Sequence, residues 1–195
     1  MQTYDAVVIG GGPAGATAAA DLARAGRSVV LLDRAGRIKP CGGAVPPRLI
    51  EEFEIPDGLL VARVTAARMV SPAERKVDMP IDGGFVGMVD REVFDEWLRS
   101  RAAAAGAERI TGTFRALERD ADGVSTVCYE HPNGGTARLR ARAVIGADGA
   151  NSAVARAIGA DEVPYVFAYH EIVRSPAQGA RDFDGARCDV YYQGR

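Results

Sequence analysis

The stretch from Tyr4 to Asp33, "YDAVVIGGGPAGATAAADLARAGRSVVLLD", constrains the fold more than any other part of the chain. Tyr4 to Ile9 is a short run rich in β-branched residues that ends in glycines, the pattern of a buried strand. Pro13 to Ala25 reads as a helix. Pro13 suits its first turn, where a missing N–H does no harm, and Gly26 is the stop. Ser28 to Asp33 is apolar between its two end residues, as expected of a strand covered on both faces. Between the first strand and the helix, Gly10, Gly12 and Gly15 form G-x-G-x-x-G. That pattern alone is weak. With a strand before it, a helix after it and an acid closing the next strand, it reads as a dinucleotide phosphate site. Gly10 permits the tight turn, Gly12 lets the backbone approach a pyrophosphate, and Gly15 lets helix and strand pack closely. The pyrophosphate then sits on the helix N-terminus, where free N–H groups and the macrodipole favour an anion. Asp33, roughly 20 residues on, stands where a carboxylate takes the adenosine ribose. An acid there repels a 2′-phosphate and so disfavours NADP in this slot. Arg34 and Arg37 follow it, for phosphate or for solvent. The plain alternative is a glycine-rich turn with a surface aspartate.

The same logic recurs far down the chain. In "AVIGADGANSAVARAIG" a strand at Ala143 to Ala147, expected to be buried, delivers Asp148 and Gly149 to a short helix near Ser152–Ile158. A carboxylate and a bare backbone at a sheet's C-terminal edge suit a ligand. They equally suit an Asx turn that caps the helix. A second such edge fits a long ligand and a fold interrupted by insertions.

Between these motifs, Arg34 to about Val89 is broken by Gly and Pro, with short strands expected near Arg63–Ser71 and Lys76–Pro80. Asp90 to Ala105 is a helix, with Asp90 as N-cap and Val93, Phe94, Trp97 and Leu98 as one apolar stripe. Strands are expected at Glu108–Thr111, Thr113–Arg119, Val124–Glu130 and Thr136–Ala141, with the turn "HPNGG" between the last two. An alternating segment begins at Val163, and the chain closes at "CDVYYQGR", inside or just beyond a strand. There is no internal repeat and no low-complexity linker.

Composition narrows the function classes. The 195 residues, 47% hydrophobic, suffice for one packed core rather than two complete ones. With 24 basic and 26 acidic residues and a net charge of -2, the chain has no electrostatic footprint for nucleic acid. It also lacks a polybasic run for an anionic membrane. No apolar stretch approaches the roughly 18–20 residues of a membrane span, and the N-terminus lacks the basic region of a signal peptide. Cys41, Cys128 and Cys188 are few, odd in number and widely spaced, which argues against a disulfide framework and a zinc site. No metal ligands are expected. Reduced thiols place the chain in the cytoplasm, with a peripheral membrane role left open.

The loop "IKPCGGAVPPR" sets Cys41 behind Pro40 and ahead of Gly42 and Gly43. Cys41 is open to three readings: a polarizable pocket wall, an active thiol, or a buried hydrophobe. Only Lys39 and Arg37 are near enough in sequence to favour a thiolate. His170 reads as a packing histidine before a functional one. Tyr191 and Tyr192 suit either a substrate-facing strand or the core.

Taken in order, the βαβ stretch, "VDREVFDEWLRSRAAAAGAE" and "VIGADGANSAVAR" resemble the FAD-dependent monooxygenase and reductase superfamily that includes p-hydroxybenzoate hydroxylase. "KPCGGAVPPRLIEEF", "GGFVGMVDR", "FAYHEIV" and "CDVYYQGR" resemble more closely the geranylgeranyl reductases, above all those of the bacteriochlorophyll and chlorophyll pathway. The resemblance covers essentially the whole chain. It implies an α/β fold: a Rossmann-like FAD-binding βαβ with an inserted β-meander and the start of an antiparallel substrate-domain sheet. Residues 1–162 would be the FAD-binding domain, with the insertion at about 36–89, and 163–195 the incomplete beginning of the substrate-binding domain. Gly10, Gly12, Ala14 and Gly15 would line the FAD pyrophosphate, with Asp33 on the adenosine ribose and Arg34 beside it. Arg91 would reach the phosphates, though a solvated first-turn arginine is the other reading. Asp148 and Gly149 would lie near the ribityl chain and pyrophosphate, and the backbone around Phe114–Leu117 near the adenine. The Cys41 loop would lie beside the isoalloxazine, with Gly42 and Gly43 bringing backbone up to it. Cys41 would contact flavin or substrate, and as the catalytic candidate it would donate a proton.

The activity so implied is reduction of isolated C=C bonds in a geranylgeranyl group, giving phytyl, with NADPH as electron donor. The substrate would be a prenylated tetrapyrrole or geranylgeranyl diphosphate, handled in the cytoplasm or at the periphery of a photosynthetic membrane. Two readings stand beside it: an aromatic-ring monooxygenase using O₂, and a truncated, non-catalytic FAD-binding fragment. Superfamily members continue further and add a third FAD-contacting glycine segment, so the chain alone is expected to bind FAD weakly and turn over little.

Overall fold

The structure is a computed structural model and describes residues 2–34, 41–161, 163–164, 166–176 and 183–192. The elements run β1 (Thr3–Ile9), α1 (Pro13–Arg24), β2 (Val29–Asp33), β3 (Ala44–Val45), α2 (Pro47–Glu52), then β4 (Leu60–Val64), β5 (Ala66–Val70), β6 (Lys76–Pro80) and β7 (Val86–Val89). After them come α3 (Arg91–Ala104), β8 (Glu108–Thr111), β9 (Thr113–Arg119), β10 (Ser125–Glu130), β11 (Thr136–Gly146), α4 (Ala153–Ala157) and β12 (Arg187–Tyr191). The contacts divide the chain into two compact units. Met1–Ile38 joins Asp95–Val166, and Lys39–Phe94 joins Phe167–Arg195.

The first unit is built on a six-stranded sheet in the order β8-β2-β1-β11-β10-β9. β8, β2, β1 and β11 are parallel neighbours, and β10 and β9 continue the sheet antiparallel. Alternation along the strands sends side chains to opposite faces. Val7, Ile9, Val30, Leu32, Val127, Leu139 and Ala141 form one core cluster with Tyr129 and with Val154 of α4. Ala6, Val8, Val29 and Leu31, of the opposite parity, are equally buried. The helix α1 buries only Gly15, Ala16, Ala19 and Ala20, so small residues set how closely it can approach the strands. A Leu31→Ala change, at a fully buried site, would cost about 2–5 kcal/mol.

The strand β11 differs from the sequence reading, which divided it at Arg142. It is one eleven-residue strand. Thr136–Ala141 pairs antiparallel with β10, and Arg140–Gly146 pairs parallel with β1. Arg142 is an exposed side chain of a continuous strand, 4.0 Å from the Asp5 carboxylate, and marks no turn. The strand's end is not buried as expected: Ala143 and Gly146 are exposed.

The second unit holds two three-stranded sheets, β3-β7-β4 and β12-β5-β6. The first is antiparallel throughout. In the second, β5 and β6 are antiparallel with Arg68 opposite Asp78, and the two side chains form a bidentate ion pair at 2.6 and 2.9 Å. β12 adds to β5 in parallel, so the terminal strand and the inserted segment share one sheet. The expected strand near Arg63–Ser71 is two strands, β4 and β5, separated at Thr65.

The helix α3 starts in the second unit and continues in the first. Asp90 caps it as expected, its carboxylate accepting the Glu92 N–H at 2.9 Å. Phe94 and Leu98 are buried, but Val93 is 54% exposed and drops out of the expected apolar stripe. The alternating segment from Val163 forms no regular strand among the described residues. His170 there is exposed, which overturns its reading as a packing residue. Tyr191 and Tyr192 are exposed too, at 66% and 58%, and are not core.

Candidate cofactor-binding site

Because β1 lies between β2 and β11, the sheet brings three chain turns to one edge: the glycine turn after β1, Asp33 at the end of β2, and Asp148 after β11. The two glycine-containing turns touch. The Ala147 N–H donates to the Ile9 carbonyl at 2.8 Å. Gly10, at φ +107°, lies so close that a methyl group on it would stand 2.3 Å from the Ala147 oxygen. A methyl group on Gly15 would stand 1.9 Å from the Gly10 oxygen. These two glycines are therefore required by backbone packing. Gly12 differs: a methyl group there meets nothing within 4 Å, and Ala14 beside it is exposed. Gly12 is the open side of the cradle.

The helix α1 begins at this cradle with Gly12 as N-cap, and no side chain caps it. Its first N–H groups are thus left without the side-chain acceptor that most helices supply. Asp33 lies beside the loop, its Oδ2 the nearest atom to where a Gly11 Cβ would fall, at 2.6 Å. Gly11, outside the G-x-G-x-x-G spacing, is therefore a site residue that the motif reading missed. Arg99 of α3 is a second: its Nη1 donates to the Gly11 carbonyl at 3.2 Å and to Asp33 Oδ2 at 3.4 Å. Among the described residues, Arg99 alone donates to the Asp33 carboxylate, and only to Oδ2. Arg34 is exposed.

Asp148 is placed at the same edge, and its carboxylate is occupied. One oxygen accepts the Ser152 hydroxyl, and the other accepts the N–H groups of Ala153 and Val154 at 2.6 and 3.2 Å. Ser152 in turn accepts the Ala155 N–H at 2.9 Å. The capping arrangement weighed against a ligand role is thus present. What the turn leaves toward a ligand is backbone, at Gly149 with φ +89°. Phe114 and Leu117 pack their side chains on the core cluster.

Cys41, Gly42, Gly43 and Arg91 belong to the second unit. Cys41 is exposed, which removes its reading as a buried hydrophobe. Gly43, at φ +71°, is fixed by the β3–β7 pairing: a methyl group would stand 2.1 Å from the Val89 oxygen, and the Val89 N–H bonds the Gly43 carbonyl at 2.9 Å. Gly42 is exposed, with nothing within 4 Å of an added methyl group. Of the two glycines, Gly42 is the one with open space around it. Arg37, Lys39 and Pro40, invoked around the thiol, lie outside the described residues.

An uncapped helix start, a bare loop and an aspartate beside it fit a dinucleotide's pyrophosphate and ribose. Residues 3–172 match the family model described as FAD binding domain. The chain belongs to that family. As an FAD binding domain it is 61% identical, over 98% of its length, to the geranylgeranyl diphosphate reductase of Rhodobacter capsulatus, of which it covers 49%. It is 40% identical to the chloroplastic geranylgeranyl diphosphate reductase of rice, over 94% of this chain and 42% of that one. Among solved structures, a geranylgeranyl bacteriochlorophyll reductase-like protein of Thermoplasma acidophilum superposes with a TM-score of 0.81 at 25% identity, covering 98% of this chain and 51% of the other. The chain spans about half the length of the relatives it matches.

Proposed function

We propose that this chain is the FAD-binding part of a reductase that saturates isolated C=C bonds of a geranylgeranyl group, yielding phytyl for (bacterio)chlorophyll. The observation that carries the reading is the 61% identity to the Rhodobacter reductase across nearly the whole chain. When bound, FAD supplies the electron-pair carrier that reduction of an unactivated C=C requires, with NADPH as the source of electrons. The chain's own residues do the holding. The N–H groups at the start of α1 and the bare Gly12 take the pyrophosphate, and Asp33 accepts from the adenosine ribose. Asp148 fixes the turn that presents the Gly149 backbone. Arg91, in the first turn of α3, is assigned to the cofactor's phosphates, as the resemblance implies, and Arg34 lends positive charge beside Asp33. In the second unit, Gly42 offers bare backbone, and Cys41 holds a proton on Sγ that a saturated product must acquire. Among the described residues no helix is long and apolar enough to cross a membrane. We place the prenyl substrate's encounter in the cytoplasm or at the periphery of a photosynthetic membrane.

The test is incubation of the holoprotein with NADPH, with and without O₂, and with either a geranylgeranylated bacteriochlorophyllide or a phenol, followed by mass spectrometry. The expected result is a gain of two hydrogens for each double bond removed from the tail. Oxygen-dependent NADPH oxidation with hydroxylation of a phenol, and an unchanged tail, would replace this reading with a monooxygenase.

A further inference from the structure

We propose that Arg99 is the positioning residue of the cofactor site: it locks the Gly11–Gly12 peptide and the Asp33 carboxylate together in the orientation that receives pyrophosphate and ribose. The inference rests on the FAD reading above.

A single guanidinium nitrogen, Nη1, joins the two halves of the site, at 3.2 Å from the Gly11 oxygen and 3.4 Å from Asp33 Oδ2. The consequence for the loop follows from peptide planarity. The Gly11 carbonyl and the Gly12 N–H share one trans peptide and point in opposite directions. Holding the carbonyl on Arg99 therefore aims the Gly12 N–H away from Arg99, and Gly12 is the position with open space around it. A flipped peptide would instead offer a carbonyl oxygen to an anion. Glycine on both sides makes such a flip easy, so the clamp has work that backbone sterics alone do not perform.

Charge gives a second reason. A carboxylate beside a diphosphate is a like-charge pair, and the guanidinium on Asp33 offsets that repulsion while leaving a carboxylate oxygen for the ribose. The clamp is itself held. Arg99 Nε donates to Glu96 Oε2 at 3.0 Å, and Glu96 also accepts both Arg109 nitrogens, at 2.8 and 3.1 Å. Ser100 adds a bond to Glu96 Oε1 at 3.3 Å. With Nε and Nη1 both committed and the side chain only 21% exposed, the guanidinium plane is fixed. A lysine, with one compact ammonium on a flexible stem, cannot meet Gly11, Asp33 and Glu96 at once.

The test measures FAD dissociation constants in the holoprotein, stripped and reconstituted, for wild type, Arg99→Met, Arg99→Lys, Asp33→Asn and the double variants. Arg99→Met is expected to weaken FAD binding about 10- to 100-fold, the range of a lost charge-assisted bond. Arg99→Lys keeps charge and length, so it stays folded, and should recover only part of that loss. Because Arg99 acts through Asp33, Arg99→Met with Asp33→Asn should bind within about twofold of the weaker single variant. Simple multiplication of the two losses would overturn the proposal, since Arg99 would then not hold the loop and Asp33 together as one unit. Wild-type affinity in Arg99→Lys together with unchanged affinity in Arg99→Met would overturn it as well. A wild-type protein that takes up no FAD would instead remove the FAD reading on which the proposal stands.

Discussion

Single glycines separate packing from binding in this chain. At Gly15 a methyl group would stand 1.9 Å from the Gly10 oxygen, whereas at Gly12 it meets nothing within 4 Å. The same substitution should therefore have opposite signatures. Gly15→Ala is expected to destabilise the protein by about 1–3 kcal/mol, or to prevent folding, because backbone must move. Gly12→Ala should lower stability by no more than about 1 kcal/mol, the difference between a glycine and an alanine N-cap. It should nevertheless weaken FAD binding tenfold or more, because the methyl group fills the space the anion needs. Thermal unfolding of the apoprotein and a flavin titration read the two effects apart, and Gly12→Ala with wild-type FAD affinity would contradict the assigned cradle. The second unit offers a matching pair. Gly43→Ala collides with the Val89 carbonyl and should lower the melting temperature clearly, while Gly42→Ala should stay within about 0.5 kcal/mol of wild type. The thiol beside them is exposed, so its role is decided by what binds there and not by burial.

At the scale of elements, the chain's local signals were read well and its distant ones were not. The βαβ unit was legible because its strands are short apolar runs bounded by glycines, and each boundary is set by neighbours in sequence. Asp90 is legible as a cap for the same reason, and so is the capping alternative at Asp148. Arg99 was not, because its partners Gly11 and Asp33 lie 88 and 66 residues away and no spacing rule links them. β11 was read as two strands because a charged residue, Arg142, interrupts an apolar run, and sequence does not show that it points to solvent from a continuous strand. The Asp148 cap predicts an outcome of its own. Asp148→Ala removes acceptors for the Ser152 hydroxyl and two backbone N–H groups, and should cost about 0.5–2 kcal/mol in chemical unfolding, with α4 fraying first. The ion network between α3 and β8 predicts a pH effect. Hydrogen bonds from Arg109, and then from Arg99, outweigh burial and hold the Glu96 carboxyl down at about 2, against an ordinary value of 4.5. A carboxyl group with a depressed folded pKa adds stability above its unfolded value and loses it as the pH falls through the folded one. The melting temperature should thus decline between pH 4.5 and 2, and Glu96→Gln should flatten part of that slope. An identical acid limb in Glu96→Gln would show that other carboxylates carry it.

At the scale of the whole molecule, the described residues leave many large apolar side chains exposed. Between Val163 and Val173 the described residues form no helix or strand, and Val166, Phe167 and Ile172 are 91%, 92% and 89% exposed. Val77 and Met79 of β6 and Tyr191 of β12 add 59%, 44% and 66% exposed side chains. Scattered apolar side chains are ordinary on a protein surface, but a run of large ones within a dozen residues is a surface for association. Electrostatic repulsion does little to oppose it, since the net charge is only -2. The chain expressed by itself should therefore self-associate with rising concentration, and should do so more strongly in sulfate, which favours burial of apolar groups. Replacing Phe167 and Ile172 together with glutamate should shift the association to higher concentration without changing FAD affinity, because both side chains are exposed and neither is assigned to the cofactor. Sedimentation velocity over a hundredfold concentration range, with flavin absorbance followed alongside protein, measures both quantities at once. A monomer throughout, carrying one FAD per chain, would show that this surface is tolerated in water and that it does not interfere with holding the cofactor.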